Sequence, residues 1–159
     1  MSRLRTAPEP ITLWPIGHVR TAAAEAEIPR LRRSLESEII IDEAFAPALE
    51  GIEAWSHLFV LFYMHKVDRA KNKLQTHPRG RKDIPLQGVF AARGRDRPNP
   101  IGLAVVELLA REGTRLKVRR LDAYDGTPVL DIKPYDSDDA FTGLRLPAWW
   151  TQLKNLFSS

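Results

Sequence analysis

One uninterrupted apolar run, Leu58-Phe59-Val60-Leu61-Phe62-Tyr63-Met64, constrains the fold more than any other feature of the sequence. It is flanked by His57 and His65. The run is too short for a typical helix and far below the roughly 20 residues needed to span a bilayer. It therefore predicts a strand from His57 to His65, buried and central in a sheet.

The remaining strand signals are also short and are separated by frequent turns. Leu13, Ile16 and Val19 suggest a first strand beginning near Thr12, with Pro15 confined to an edge or bulge because it cannot donate a ladder hydrogen bond. Ile39, Ile40 and Ile41 give Glu38 to Phe45 the β-branched character of a pleated surface. Further strands are expected over Gln87 to Ala92, Ile101 to Arg111 and Val129 to Ile132. From Thr114 to Leu121, Leu116 and Val118 alternate with Arg115, Lys117 and Arg119, the pattern of a half-buried hairpin strand after the Glu112-Gly113 turn.

Helical signals are few. Thr21 to Ser34 reads as a polar loop with room for one helical turn, and Val67 to Leu86 as a long loop broken by Pro78, Gly80 and Pro85. Leu49, Ile52 and Trp55 stand near helical spacing, interrupted by Gly51, and Trp149, Trp150, Leu153 and Leu156 predict a C-terminal amphipathic helix over Pro147 to Phe157. The two tryptophans suit a core or dimer-interface anchor better than a base-stacking platform. Many short strands with few helices predict a mainly β fold, a small closed antiparallel barrel. Residues 1–10 read as a frayed arm, and 11–159 as a single domain.

Composition narrows the chemistry. With no cysteine among 159 residues, the chain has no disulfide framework, thiolate nucleophile or cysteine-ligated metal, which suits the cytoplasm. No two of the nine glycines are separated by a single residue, so neither a dinucleotide fingerprint nor a Walker loop can be written. His18, His57, His65 and His77 lack metal-ligand spacing, and no GxSxG elbow occurs. Neither a membrane span nor a secretion signal is evident.

The net charge of +4 favours phosphate polyanions as partners. Basic residues crowd between Lys66 and Arg97, among them Lys71, Lys73, Arg79, Arg81 and Lys82, while acids gather at Asp136, Asp138 and Asp139. Charge alone fits a plain solvated surface equally well. If the chain stays extended, Arg93, Arg95 and Arg97 fall on one strand face, a row suited to phosphates.

Three segments, read together, carry a resemblance: Gly51 to Leu58 (GIEAWSHL); Gly88 to Arg93 (GVFAAR) running into Arg97 to Gly102 (RPNPIG); and Asp125 to Tyr135 (DGTPVLDIKPY). In order and spacing they resemble the TsaA or TrmO family of transfer RNA methyltransferases, over roughly Ile16 to Asp139. The resemblance implies a β-barrel homodimer that binds S-adenosyl-L-methionine near the subunit interface and methylates N6-threonylcarbamoyladenosine beside the anticodon. Implied cofactor contacts are Pro29, Arg30, His65, Lys66, Arg93, Leu103, Tyr124, Asp125, Gly126 and Thr127. The family's Pro-Arg-Gln becomes Pro29-Arg30-Leu31 here, which removes a glutamine contact. Longer members carry a further C-terminal domain that engages RNA, whereas this sequence ends after one helix.

Methyl transfer from a sulfonium is an in-line displacement, so positioning and exclusion of water are the protein's main tasks. The carbamoyl group makes the N6 proton more acidic, and Asp125 or His65 is the candidate base. Amides of the Asp125-Gly126 turn could hold a cofactor carboxylate or ribose, although the pair also reads as an ordinary hairpin turn. Arg95, Arg97, Lys71, Lys73, Arg81 and Lys82 are the candidate contacts to phosphates of the anticodon loop. Arg30, Arg32 and Arg33 fit either a cofactor wall or open surface. Alternatives are a methyltransferase of the same fold acting on another RNA or a small molecule, and a non-catalytic RNA-binding barrel.

Overall fold

Residues 9–71 and 73–155 are described by a computed structural model of the chain. Most of the expected N-terminal arm, together with Leu156 and Phe157, lies outside these residues. In chain order the regular elements are β1 (Gly17–Arg20), the one-turn α1 (Ile28–Leu31), β2 (Glu36–Ile41), β3 (His57–Tyr63), β4 (Gln75–Thr76), β5 (Gln87–Gly88), β6 (Ile101–Glu112), β7 (Arg115–Arg119), β8 (Pro128–Pro134) and α2 (Ala148–Asn155). Six strands close into a barrel in the order β1-β2-β7-β6-β3-β8, with β8 pairing back onto β1 and every pair antiparallel. β4 and β5 form a separate two-stranded ribbon.

The barrel follows from side-chain alternation. Leu58, Val60 and Phe62 of β3 point inward and are buried, as are Ile39 and Ile41 of β2, Leu116 and Val118 of β7, and Val129 of β8. Each such aliphatic or aromatic side chain contributes about 1.5–3 kcal/mol through its removal from water. The apolar run is thus buried on alternate positions only, a correction to the fully buried strand expected. Phe59, Leu61 and Tyr63 are half-buried on the outer face, in register with Val105, Leu103 and Ile101 of β6.

The outer surface is therefore divided. β3 and β6 present apolar side chains, and Leu103 is 55% exposed. Across β2, β7 and β6, Glu36 accepts from Lys117 and Arg119 at 2.9 Å each, and Arg119 reaches Glu107 at 2.7 Å.

Four local expectations are corrected. The first strand is confined to Gly17–Arg20, so Pro15 precedes it and no bulge is needed. Of Gln87 to Ala92 only the first two residues pair, because β4 offers two partners; Val89–Ala91 is a 3-10 turn. The expected helix after Phe45 is two 3-10 turns, Glu43–Leu49 and Ile52–Ala54, divided by Gly51 at φ 81°. The segment between Val67 and Leu86 is more than a bare loop: Ile84 is fully buried, and its carbonyl lies 2.8 Å from Nδ1 of His77. α2 does form at the C-terminal end, burying Leu153 and leaving Trp149 and Trp150 half-buried, edge to face.

Candidate functional site

β3 ends where its neighbour ends. Met64 donates to the Pro100 carbonyl at 2.8 Å, and Val67 then donates to Met64 at 3.1 Å, so the chain turns with His65 and Lys66 at the tip. Beside this turn lies a cavity of about 410 Å³, within the usual size range of a small-molecule site. Its apolar wall comes from Pro29 of α1, Phe62 and Met64 at the end of β3, Val67, and Ala123 and Tyr124 ahead of β8. His65, Lys66, Thr127 and the segment from Arg93 to Arg95 supply polar groups, together with Arg79 and Asp122.

The polar groups are held differently. Lys66 pairs with Glu25 and lies 5.6 Å from the centre of the Tyr124 ring, so its charge stiffens the aromatic wall. His65 has a buried Nδ1 with no hydrogen-bond partner. Such an orphaned polar atom is costly unless a ligand satisfies it, and it fits a polar cofactor in this cavity. Thr127 is buried, and its amide donates to the Tyr124 carbonyl at 3.1 Å.

Asp122 and Arg79 had no motif to announce them. Crowding at the cavity wall desolvates the Asp122 carboxyl and pushes it above its ordinary range, although the residue as a whole is exposed, while the charges of Arg32, Arg79 and Arg93 pull it back. Partial burial lowers the Arg79 guanidinium, aided by the repulsion of Arg32 and Arg33. The isolated LD dipeptide at 121–122 gave no sequence signal, because its surroundings come from four distant segments.

Of the ten expected cofactor contacts, Pro29, His65, Lys66, Arg93, Tyr124 and Thr127 line the cavity. Four do not. Arg30 points outward and pairs with Glu27 at 3.7 Å. Leu103 lies on the outer face of β6, because alternation along the strand directs it away from the interior. Asp125 accepts from the Thr21 amide at 2.9 Å and lines a shallow polar depression with Arg20, Glu38 and Lys117, which separates it from His65. The Asp125-Gly126 turn, with Gly126 at φ 74°, spends its amides internally: Gly126 donates to Val19 at 2.8 Å and Thr127 to Tyr124. These two amides are not available to a cofactor.

The expected arginine row is also corrected, because residues 93–97 do not form a strand. Arg93 and Arg95 line the cavity, with Arg95 3.7 Å from Asp96. Arg97 folds back and donates to the carbonyls of Gly94 at 2.8 Å, Val89 at 3.1 Å and Ala92 at 3.3 Å. Lys71 pairs with Asp68 at 3.3 Å and Arg81 with Asp83, while Lys73 and Lys82 are exposed. Among the described residues no three His, Asp or Glu side chains gather as a metal-ligand set, and no helix is long and apolar enough to cross a membrane.

A closed antiparallel barrel with a cavity of this size beside the turn after β3, apolar on one side and lined by charged groups on the other, has the form of a small-molecule-binding β-barrel. The chain belongs to the family of tRNA-methyltransferase O N-terminal domains, which its residues 21–139 match.

It is 45% identical over 129 residues to an S-adenosyl-L-methionine-binding protein of Archaeoglobus fulgidus, covering 79% of this chain and 90% of that one. It is 39% identical over 113 residues to the tRNA (adenine(37)-N6)-methyltransferase of Escherichia coli K12, covering 67% of this chain and 48% of the enzyme. Among solved structures it matches a crystal structure of TrmO with a TM-score of 0.69 at 35% identity, over 88% of this chain and 62% of that chain. TrmO from Pseudomonas aeruginosa gives 0.68 at 34% identity, over 86% and 62%. This chain spans less than two thirds of those two TrmO chains.

Proposed function

We propose that this chain is an S-adenosyl-L-methionine-dependent methyltransferase acting on N6 of threonylcarbamoyladenosine beside the anticodon of transfer RNA. One observation carries the reading. Six positions expected to touch the cofactor, scattered from Pro29 to Thr127, meet in a single cavity, and one of them, His65, brings an unsatisfied buried nitrogen. The names of the relatives support the same cofactor and substrate.

When bound, the cofactor supplies an electrophilic methyl group on a sulfonium. The residues that would hold it are Pro29, Phe62 and Tyr124 as apolar walls, and Lys66, Arg93 and Thr127 as polar contacts. Phe62, Met64 and Val67 give the cavity apolar walls, and displacing water from them would strengthen the electrostatic contacts inside. With Asp125 turned to the Thr21 loop, His65 is the expected base that remains in the cavity to accept the N6 proton. Arg95 at the cavity, and Lys73 and Lys82 beyond it, are offered to RNA phosphates.

We also propose a homodimer built on the outer face of β3 and β6, in the cytoplasm. Leu103 lies on this outer face and does not line the cavity of its own chain, and a second copy docked here would cover it. Removal of an apolar surface of this kind from water is the usual drive for association.

Incubation with S-adenosyl-L-methionine and threonylcarbamoylated transfer RNA, followed by mass spectrometry of the nucleosides, tests the activity. Methylation of the modified adenosine, lost in His65→Ala with a cofactor affinity lowered at least tenfold, is the expected result. Methylation of another nucleoside would assign a different RNA substrate, and absence of cofactor binding by calorimetry would leave a non-catalytic RNA-binding barrel.

A further inference from the structure

The cavity beside the turn after β3 is lined by several cations but, among the described residues, by a single carboxylate, that of Asp122. Two of the cations have acidic neighbours of their own. Lys66 pairs with Glu25, and Arg95 lies 3.7 Å from Asp96; neither acid lines the cavity. Asp122 is therefore not needed as the counter-charge of either, and it stands in the cavity opposite in sign to the groups around it.

The backbone fixes Asp122 at this place. Leu121 and Ala123, on either side of it, are buried. The Arg120 amide donates to the Leu35 carbonyl at 2.9 Å, and the Thr127 amide to the Tyr124 carbonyl at 3.1 Å, which ties both ends of the segment. Asp122 itself is exposed and lines the cavity, so a ligand there can reach it. Desolvation penalises its charged form, and the guanidinium charges of Arg32, Arg79 and Arg93 oppose that cost. A cationic hydrogen-bond donor entering the cavity would act in the same direction as those charges. A partly desolvated acid held in a cleft is the arrangement expected of a ligand contact.

We propose that Asp122 accepts hydrogen bonds from the α-ammonium group of S-adenosyl-L-methionine, while Arg93 takes the α-carboxylate. This inference rests on the reading of the cavity as the cofactor site, and it supplies the anion that the cofactor's positive charge requires. The cofactor has a neutral heterocycle at one end and a zwitterionic amino acid at the other, which suit an apolar wall and a pair of opposite charges. A guanidinium fork matches a carboxylate, and an ammonium has N–H groups to donate to Asp122; a sulfonium has none. A carboxylate set against the sulfonium would also stabilise the donor before transfer and lose that contact as the charge leaves sulfur, which slows the reaction. Placed at the ammonium, Asp122 holds the donor and its demethylated product alike.

The test measures binding of three compounds to the full chain by calorimetry: S-adenosyl-L-methionine, S-adenosyl-L-homocysteine, which lacks the sulfonium charge, and methylthioadenosine, which lacks the amino-acid end. In Asp122→Asn the first two affinities should each fall about tenfold, the scale of one charge-assisted hydrogen bond, and the third should change less than about twofold. Arg93→Gln should give the same pattern, which keeps the assignment testable on a second variant. Melting temperatures establish that both variants are folded. Unchanged affinity for the first two compounds in Asp122→Asn would overturn the proposal. So would an equal loss for all three, which would make Asp122 a support of the cavity wall, or a loss confined to S-adenosyl-L-methionine, which would place it at the sulfonium. Wild-type protein that binds none of the three overturns the cofactor reading itself, and this assignment with it.

Discussion

Phe62 of β3 lies directly across from Gly102 of β6, and a Cβ at residue 102 would fall on the Phe62 ring. Phe62 is at once a core residue and a wall of the cavity, so this pair couples barrel closure to the shape of the site. Gly102→Ala must push the ring into the cavity or spread the two strands. The expected cost is about 1–3 kcal/mol of stability, read by denaturant unfolding, together with weaker cofactor binding. Gly88→Ala, where a Cβ meets nothing within 4 Å, should stay within about 0.5 kcal/mol.

The alternation of β3 and β6 separates the side chains that fill the barrel from those on the outer face where we propose a second copy docks. Leu58 is fully buried, and Leu58→Ala should cost about 2–5 kcal/mol because the closed barrel cannot collapse around the void. Leu103→Glu, on the exposed outer face, should leave the unfolding midpoint nearly unchanged and shift the protein toward monomer in sedimentation velocity.

Two carboxylates should move stability in opposite directions with pH. Glu36 is held below its ordinary 4.5 by hydrogen bonds from Lys117 and Arg119. Its contribution is present above 4.5 and disappears as pH falls through the lowered value. Asp122 is raised above 3.8 by desolvation at the cavity wall, so the folded chain holds that proton more tightly than the unfolded one. Stability is then lost as pH rises from 3.8 through the raised value, and Asp122→Asn should be more stable than wild type above that window and equal to it below. Melting temperatures of wild type, Glu36→Gln and Asp122→Asn across acid and neutral pH check both signs.

Arg97 ties its own loop through the carbonyls of Val89, Ala92 and Gly94. Arg97→Ala should loosen the segment that carries Arg93 and Arg95 while leaving the barrel intact. Hydrogen exchange of amides 89–97 should accelerate by tenfold or more, the effect of losing about 1.5–3 kcal/mol of charge-assisted hydrogen bonding. A drop in cofactor affinity should accompany it.

The barrel was legible in the sequence because strand alternation and turn chemistry are local. Leu116 and Val118 against Arg115, Lys117 and Arg119, the Glu112-Gly113 turn, and the apolar run of β3 each declare their element within a few residues. Six of the ten positions that the family resemblance singled out line one cavity. What side chains do there was decided by tertiary structure. Asp125 faces Thr21, a residue 104 positions away, and Arg97 turns inward to carbonyls that had no strand to join. Asp122 and Arg79 gain their environment from Arg32, Arg33 and Arg93, brought together only when the barrel closes. Periodicity reports which face of a strand is buried; burial of a charge, the partner it meets and the cavity it enters depend on distances between remote segments, and those exist only in the folded chain.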